Sequence, residues 1–290
     1  MWSLNPVVVK FGVGEISPLA FPVLRFGLGG LAMLAVLGVR EGTLRVARRD
    51  VPLLVLTAFF GVTINQACFV YALTNTGASD VAFLGATGPL VTVFLATAIG
   101  LERLGKRHWL SALAGMVGVA LIVGGGAHAG LGRTPLLGAA LALGSVVCSS
   151  ASALPIRSLL GRYTAWRILT YEMLAGSLLL LPFALPSLAS QDFGRVSVAG
   201  WASLTYSVIF TGIVTNLLYF TAIGRVGPSR AAIFGYLQSL LGVLLAVALL
   251  GESVLPIQLV GGLVVIGSVV LSRRRAGQPR VRNWRRSGVL

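Results

Sequence analysis

Ten apolar runs separated by short polar connections dominate the chain: roughly residues 1–14, 18–39, 51–73, 79–100, 108–125, 135–155, 164–186, 198–221, 229–250 and 256–272. A helix needs about 20 apolar residues to cross the ~30 Å hydrocarbon core of a bilayer. Within lipid it must also satisfy its own backbone, since no water is there to do so. Strands of a membrane barrel would alternate with period 2 over about 10 residues, whereas these runs are longer and continuously apolar. The expectation is an all-α membrane protein with ten transmembrane helices. Composition closes the soluble alternative. Only 11% of the residues are charged, against ~25% in a typical soluble domain.

The formal net charge of +15 would point to nucleic acid in a soluble protein. Here the charges sit between the apolar runs, so they read as topological anchors and no nucleic-acid partner is expected. With the N-terminus inside, 19 of the 23 Lys and Arg fall in cytoplasmic loops or in the tail, among them Arg40, Arg45, Arg48, Arg49, Arg157, Arg162, Arg167 and Arg225. Only Arg133 and Arg195 fall outside, and Lys10 and Arg25 lie within spans. Lys and Arg excess marks cytoplasmic loops, so both termini are expected in the cytoplasm. Cys68 and Cys148 each lie inside an apolar run and form no CxxC, so no disulfide is expected. The first run is short. Fourteen residues at 1.5 Å reach about 21 Å, and a start codon placed too late in the gene is the favoured explanation.

The chain repeats itself. Residues 72–102, moved forward by 150 positions, give eleven identities in 31, including Gly77/Gly227, Ser79/Ser229, Gly85/Gly235 and Glu102/Glu252. Shared apolar composition does not account for aligned Gly, Ser and Glu. Five helices is an odd number, so the second copy enters the bilayer from the opposite side. The expected organisation is a first five-helix repeat over 1–125, a second and inverted one over 126–272, and a basic cytoplasmic tail over 273–290. Inverted repeats are common in secondary transporters, with the substrate site near the midplane between them.

The segment Asn75–Val123 carries small residues after a helix-3 Ala-Leu, a Pro inside helix 4, Gly100-Leu101-Glu102-Arg103, and a helix rich in small residues. Ala222–Leu271 repeats the order with Gly251-Glu252-Ser253, and WSLNPVVVK opens the first helix. This pattern resembles the EamA repeat of the drug/metabolite transporter superfamily. One departure stands out: Ser239 occupies the position opposite Pro89, where the family usually has a second Pro. The resemblance implies a ten-helix secondary carrier in the bacterial plasma membrane, of the kind that exports amino acids or related metabolites.

Ionisable residues inside a membrane usually face a bundle interior or a wet cavity. Arg25 lies about eight residues into the second run and Glu172 about eight into the seventh, so each sits ~12 Å from its own membrane surface by helical rise. Two readings stand for them. They form an interhelical ion pair that fixes packing, or Arg25 attracts a substrate carboxylate while Glu172 binds an amine or a proton. Lys10 either snorkels to the interface or faces the cavity. Asn65 and Gln66 align at the same offset with Thr215 and Asn216; symmetry would put one pair at each mouth, unless they only join helices. Tyr71, Tyr219, Tyr236 and Gln238 complete the candidate wall, and Pro89 is a candidate hinge because it removes a backbone donor.

Other chemistries find no footing. Gly100–Arg107 nearly matches a phosphate-binding loop but ends in Arg107 instead of Ser or Thr, and no strand precedes it. His108 and His128 fall on opposite sides of the membrane. No catalytic residue, metal or cofactor is expected. The partners expected are a small-molecule substrate, the lipid bilayer and, as coupling ion, protons. Two alternatives remain at this stage: a carrier of amphipathic drugs or lipids, which the 8% aromatic content disfavours, and a non-transporting membrane scaffold or sensor.

Overall fold

The computed structural model describes residues 1–42, 44–98, 106–128, 134–226, 231 and 234–273. Among these the chain is all helical. In order the helices are α1 (Asn5–Glu15), α2 (Ala20–Glu41), α3 (Arg48–Asn75), α4 (Ala78–Gly85), α5 (Gly88–Ala98) and α6 (Lys106–His128). They continue with α7 (Pro135–Leu159), α8 (Ala165–Ser190), α9 (Val198–Val226), α10 (Phe234–Leu250) and α11 (Pro256–Arg273). Local chemistry sets their ends. Pro6, Pro52 and Pro135 stand in first turns, where the missing N–H is no loss. Thr164 and Ser197 cap α8 and α9 by accepting from the backbone N–H of Arg167 and Gly200.

The number of spans departs from expectation. Five helices, α2, α3, α7, α8 and α9, are long and apolar enough to cross a membrane, and the α4–α5 pair makes a sixth if counted as one bent span. The other four predicted spans are helical but shorter by the same criterion: α1 has 11 residues, and the apolar stretches of α6, α10 and α11 are Leu113–Gly125, Gln238–Leu250 and Pro256–Ser268. Length and composition thus identify five or six spans among the described residues. The tail beyond Arg273 lies outside the described residues, as does the connection 99–105.

Packing follows residue size. α6 and α11 cross where Gly118 meets Gly261; a Cβ on either would stand 2.7 Å from the other's carbonyl oxygen. Small residues at such crossings let backbones approach within lipid, where apolar surface alone does not drive helices together. α2 lies along α8 and α3 along α7. At their loop ends Arg167 binds Glu41 (2.5 Å) and Arg162 binds Asp50 (2.5 Å). Several of the basic loop residues therefore lock helix ends as well as biasing charge. Cys68 and Cys148 are free thiols.

Two helices contain π segments, Phe59–Ile64 in α3 and Ser207–Thr215 in α9. At the 150-residue offset of the repeat, the first falls inside the second. Between α4 and α5 the axis bends by 41° just before Pro89. Opposite that break stands Ser239, in a helix that runs without interruption from Phe234 to Leu250.

Candidate functional site

A cavity of about 280 Å³ is enclosed by helices of both halves. The α4–α5 break and both π-bearing helices supply its wall, through Gly85, Gly88, Pro89, Gly61, Val62 and Asn216. Irregular helix is tolerated at membrane depth where it lines a cavity, and π segments recur at functional sites.

Arg25 is delivered by α2 to the π segment of α9. Its Nε donates to the Ser207 carbonyl (3.2 Å), Nη2 to the Thr211 hydroxyl (2.9 Å) and Nη1 to Gln66 Oε1 (3.4 Å). The guanidinium also lies 4.9 Å from the centre of the Phe26 ring. From there a polar chain runs across the site. Gln66 donates to Asn65 Oδ1 (2.7 Å), and Asn65 Nδ2 donates to the Ser145 carbonyl of α7 (2.8 Å). On the other side the Thr211 hydroxyl lies 3.0 Å from Asn5 Oδ1. Asn216 donates to the Thr211 and Gly212 carbonyls, each at 2.9 Å, satisfying backbone that the π geometry leaves open. Tyr219 meets Trp2 edge-on, with ring centres 5.0 Å apart.

Glu172 is held differently. Only 4% of it is exposed, and among the described residues its carboxyl makes no hydrogen bond and no ion pair. It lies over Gly61 in the π segment of α3. A Cβ there would collide with Glu172 Oε1 and stand 3.1 Å from the Ser152 hydroxyl. The glycine is thus what makes room for the carboxyl at this wall. Of the two readings of these residues, the ion pair is not formed among the described residues; the Arg25 donors go to α9 and Gln66 instead.

Eight of the residues selected from the sequence line the cavity: Arg25, Asn65, Gln66, Pro89, Glu172, Asn216, Tyr219 and Gln238. Asn65, Gln66 and Asn216 share this one chamber, where symmetry had placed them at separate mouths. Lys10 does not line the cavity; its ammonium is bound by Glu252 (2.8 Å). Tyr71 is 39% exposed and stands away from the lining. The side chain of Tyr236 lies outside the described residues. Sequence reasoning missed Asn5 and the serine face of α7, Ser145, Ser149 and Ser152, all of which line the site. The i, i+4, i+7 spacing of those serines was the available signal.

The chain matches the sequence pattern of the EamA-like transporter family over residues 1–124 and 136–274. It is 28% identical over 289 residues to a probable terminal-alkyne amino-acid exporter of Streptantibioticus cattleyicolor, covering 95% of this chain and 93% of that one. An uncharacterized transporter of Bacillus subtilis, YetK, is 25% identical, with coverage of 94% and 83%. The uncharacterized inner membrane transporter YedA of Escherichia coli is 26% identical, with coverage of 93% and 86%. A solved crystal structure superimposes with a TM-score of 0.68 at 19% identity, over 94% of this chain and 92% of that one. That likeness concerns the fold alone.

Proposed function

The chain belongs to the EamA-like transporter family, and from that premise we propose that it exports a small, amino-acid-like metabolite across the bacterial plasma membrane by alternating access. It works as a secondary carrier of ten spans in two inverted halves, with both termini in the cytoplasm. The observation that carries the reading is Glu172, a buried carboxyl without a partner among the described residues, facing a chamber that also holds Arg25. A buried carboxyl that makes no hydrogen bond costs stability, so a site that keeps one open has a use for it. A substrate ammonium or a proton supplies what the protein withholds, and the unused N–H groups of Arg25 receive a carboxylate. Phe26, Phe69, Met173 and Phe220 offer apolar wall to the rest of the molecule.

Two further observations support the reading. The similar exporter from Streptantibioticus is named for an amino acid. With the basic loops in the cytoplasm, as proposed, the lining residues Ile156, Leu169 and Ala231 stand toward that side, which suits a loading state. The test is an export screen. Cells overproducing the protein are challenged with toxic amino acids and analogues, and intracellular accumulation is measured. Protection against a subset is expected, and Glu172→Gln abolishes it at unchanged protein level. Equal protection by wild type and Glu172→Gln would exclude this role for the carboxyl.

A further inference from the structure

At one end of the bundle the two halves are tied by carboxylates that the transport site does not use. α10 ends at Leu250, and Gly251 takes φ +64°, a left-handed turn open to glycine. That turn carries Glu252, from the second half, onto the N-terminus of α4 in the first half. Glu252 Oε1 accepts from the Ala78 backbone N–H (2.8 Å), and Oε2 from the Ser79 N–H (2.9 Å) and hydroxyl (2.6 Å). The Lys10 ammonium of α1 closes the group on Oε1 at 2.8 Å and also donates to the Thr76 carbonyl (3.2 Å). One turn on, Asp80 accepts from Thr76 (2.7 Å) and from Gln258 of the second half (2.6 Å). Glu252 is 8% exposed, Asp80 3% and Gln258 fully buried. Below them lies a plug of Val9, Val13, Phe21, Leu73, Leu84 and Val243.

We propose that Glu252 is a latch that holds this mouth of the carrier shut, and that withdrawing its carboxylate from Lys10 and the α4 N-terminus is the step that opens it. Three features support a releasable tie. The bonds are charge-assisted and aimed at a helix N-terminus, where a carboxylate is favoured. They join opposite halves, which alternating access must separate at each mouth in turn. The latch also grips α4, the segment whose other end is the 41° break at the cavity wall, so its release moves a cavity-lining element. The mechanical part rests on the transporter reading; the seal itself does not.

The experiment measures the seal without transport. Ala142, 2% exposed, belongs to the apolar plug and also lines the cavity. Ala142→Cys is introduced after Cys68→Ala and Cys148→Ala, and a membrane-impermeant maleimide is added to right-side-out and to inside-out vesicles. The parent protein is expected to react from one side only. Glu252→Gln should raise the rate from the sealed side about tenfold, the cost of one charge-assisted bond. An unchanged sealed-side rate in a folded Glu252→Gln protein overturns the proposal. If that variant does not elute as a single species in detergent, Lys10→Met carries the same test, with a smaller rise expected and no rise overturning it. The exchange Lys10→Glu/Glu252→Lys restores the ion pair but points an ammonium at helix N–H donors. It should stay open, and a seal restored to the parent rate rules out the helix-terminus grip. Absence of export in the screen above, with this labelling pattern intact, would count against the transporter reading and leave the latch standing.

Discussion

Arg25 and Glu172 are both buried, yet the protein satisfies one charge and leaves the other open. Arg25 has three acceptors and an aromatic face; Glu172 has none among the described residues. Removing Arg25 strands those acceptors, and hydrogen bonds to charged groups contribute about 1.5–3 kcal/mol each. Arg25→Gln should therefore lower the apparent Tm in detergent, while Glu172→Gln leaves it unchanged or raises it. The double variant should match Arg25→Gln, with a coupling below about 0.5 kcal/mol. Recovery in the double variant would reveal a direct pair after all. Ser207 gives a second test. Its carbonyl serves Arg25, but its hydroxyl is buried with no partner among the described residues. Deleting an unsatisfied polar group recovers its desolvation cost, about 1 kcal/mol. Ser207→Ala is expected to raise the apparent Tm by a few degrees, and a drop would show that a partner exists. Both charges were legible in the sequence because each lies well inside a run of about 20 apolar residues. Their partners were not, since a carbonyl such as that of Ser207 leaves no mark in a sequence.

Where the helices deviate from α they line the cavity. The π segments occur at equivalent places in the two halves, each just before a cavity-lining Asn. Each presents backbone to a charge on the opposing helix: Gly61 to Glu172, Ser207 to Arg25. Gly61→Ala should keep the protein folded but force Glu172 aside, lowering export at least tenfold with little change in apparent Tm. Activity equal to the parent would show that the carboxyl relocates freely. The α6–α11 crossing answers to a different constraint. Gly261→Val places carbons where the Gly118 carbonyl already stands, and overpacking of this kind costs about 1–3 kcal/mol. A lower apparent Tm and reduced yield are expected, read by fluorescence-detected chromatography. Pro89 announced the α4–α5 break from sequence. Nothing announced the π segments, because a π turn needs no special residue and costs little once neighbouring side chains take up the freed carbonyls, as Asn216 does.

Across the whole molecule, the halves meet along packed helices such as α6 and α11, through loop-end ion pairs, through the polar network around the cavity and through the carboxylate cluster at one end. The latch has a pH signature. Burial pushes the Glu252 carboxyl up, but the Lys10 ammonium and the Ser79 donors outweigh it and hold the group below its ordinary value. A carboxylate depressed on folding adds stability above its unfolded pKa and loses it as pH falls through the folded value. The apparent Tm should therefore fall more steeply in wild type than in Glu252→Gln once the pH drops below about 4. Parallel curves for the two proteins would mean the carboxyl is not held as described.

Apolar run length, loop charge and the 150-residue self-similarity determined, without coordinates, that the chain is a helical membrane protein of repeated build and that Arg25 and Glu172 lie within long apolar helices. These properties follow from the bilayer as solvent, which acts on each segment independently. Three things awaited the tertiary structure. Arg25 and Glu172 share a chamber without pairing, because α9 and Gln66 reach the guanidinium first. Lys10, equal to them by sequence, is bound at the end of the bundle by Glu252, a partner 242 residues away. Asn65, Gln66 and Asn216 face one cavity, not two mouths. Each of these is a choice among partners of similar chemistry, and in a low-dielectric interior the nearest well-aligned donor or acceptor wins. That alignment is set by how whole helices cross, which no single segment encodes.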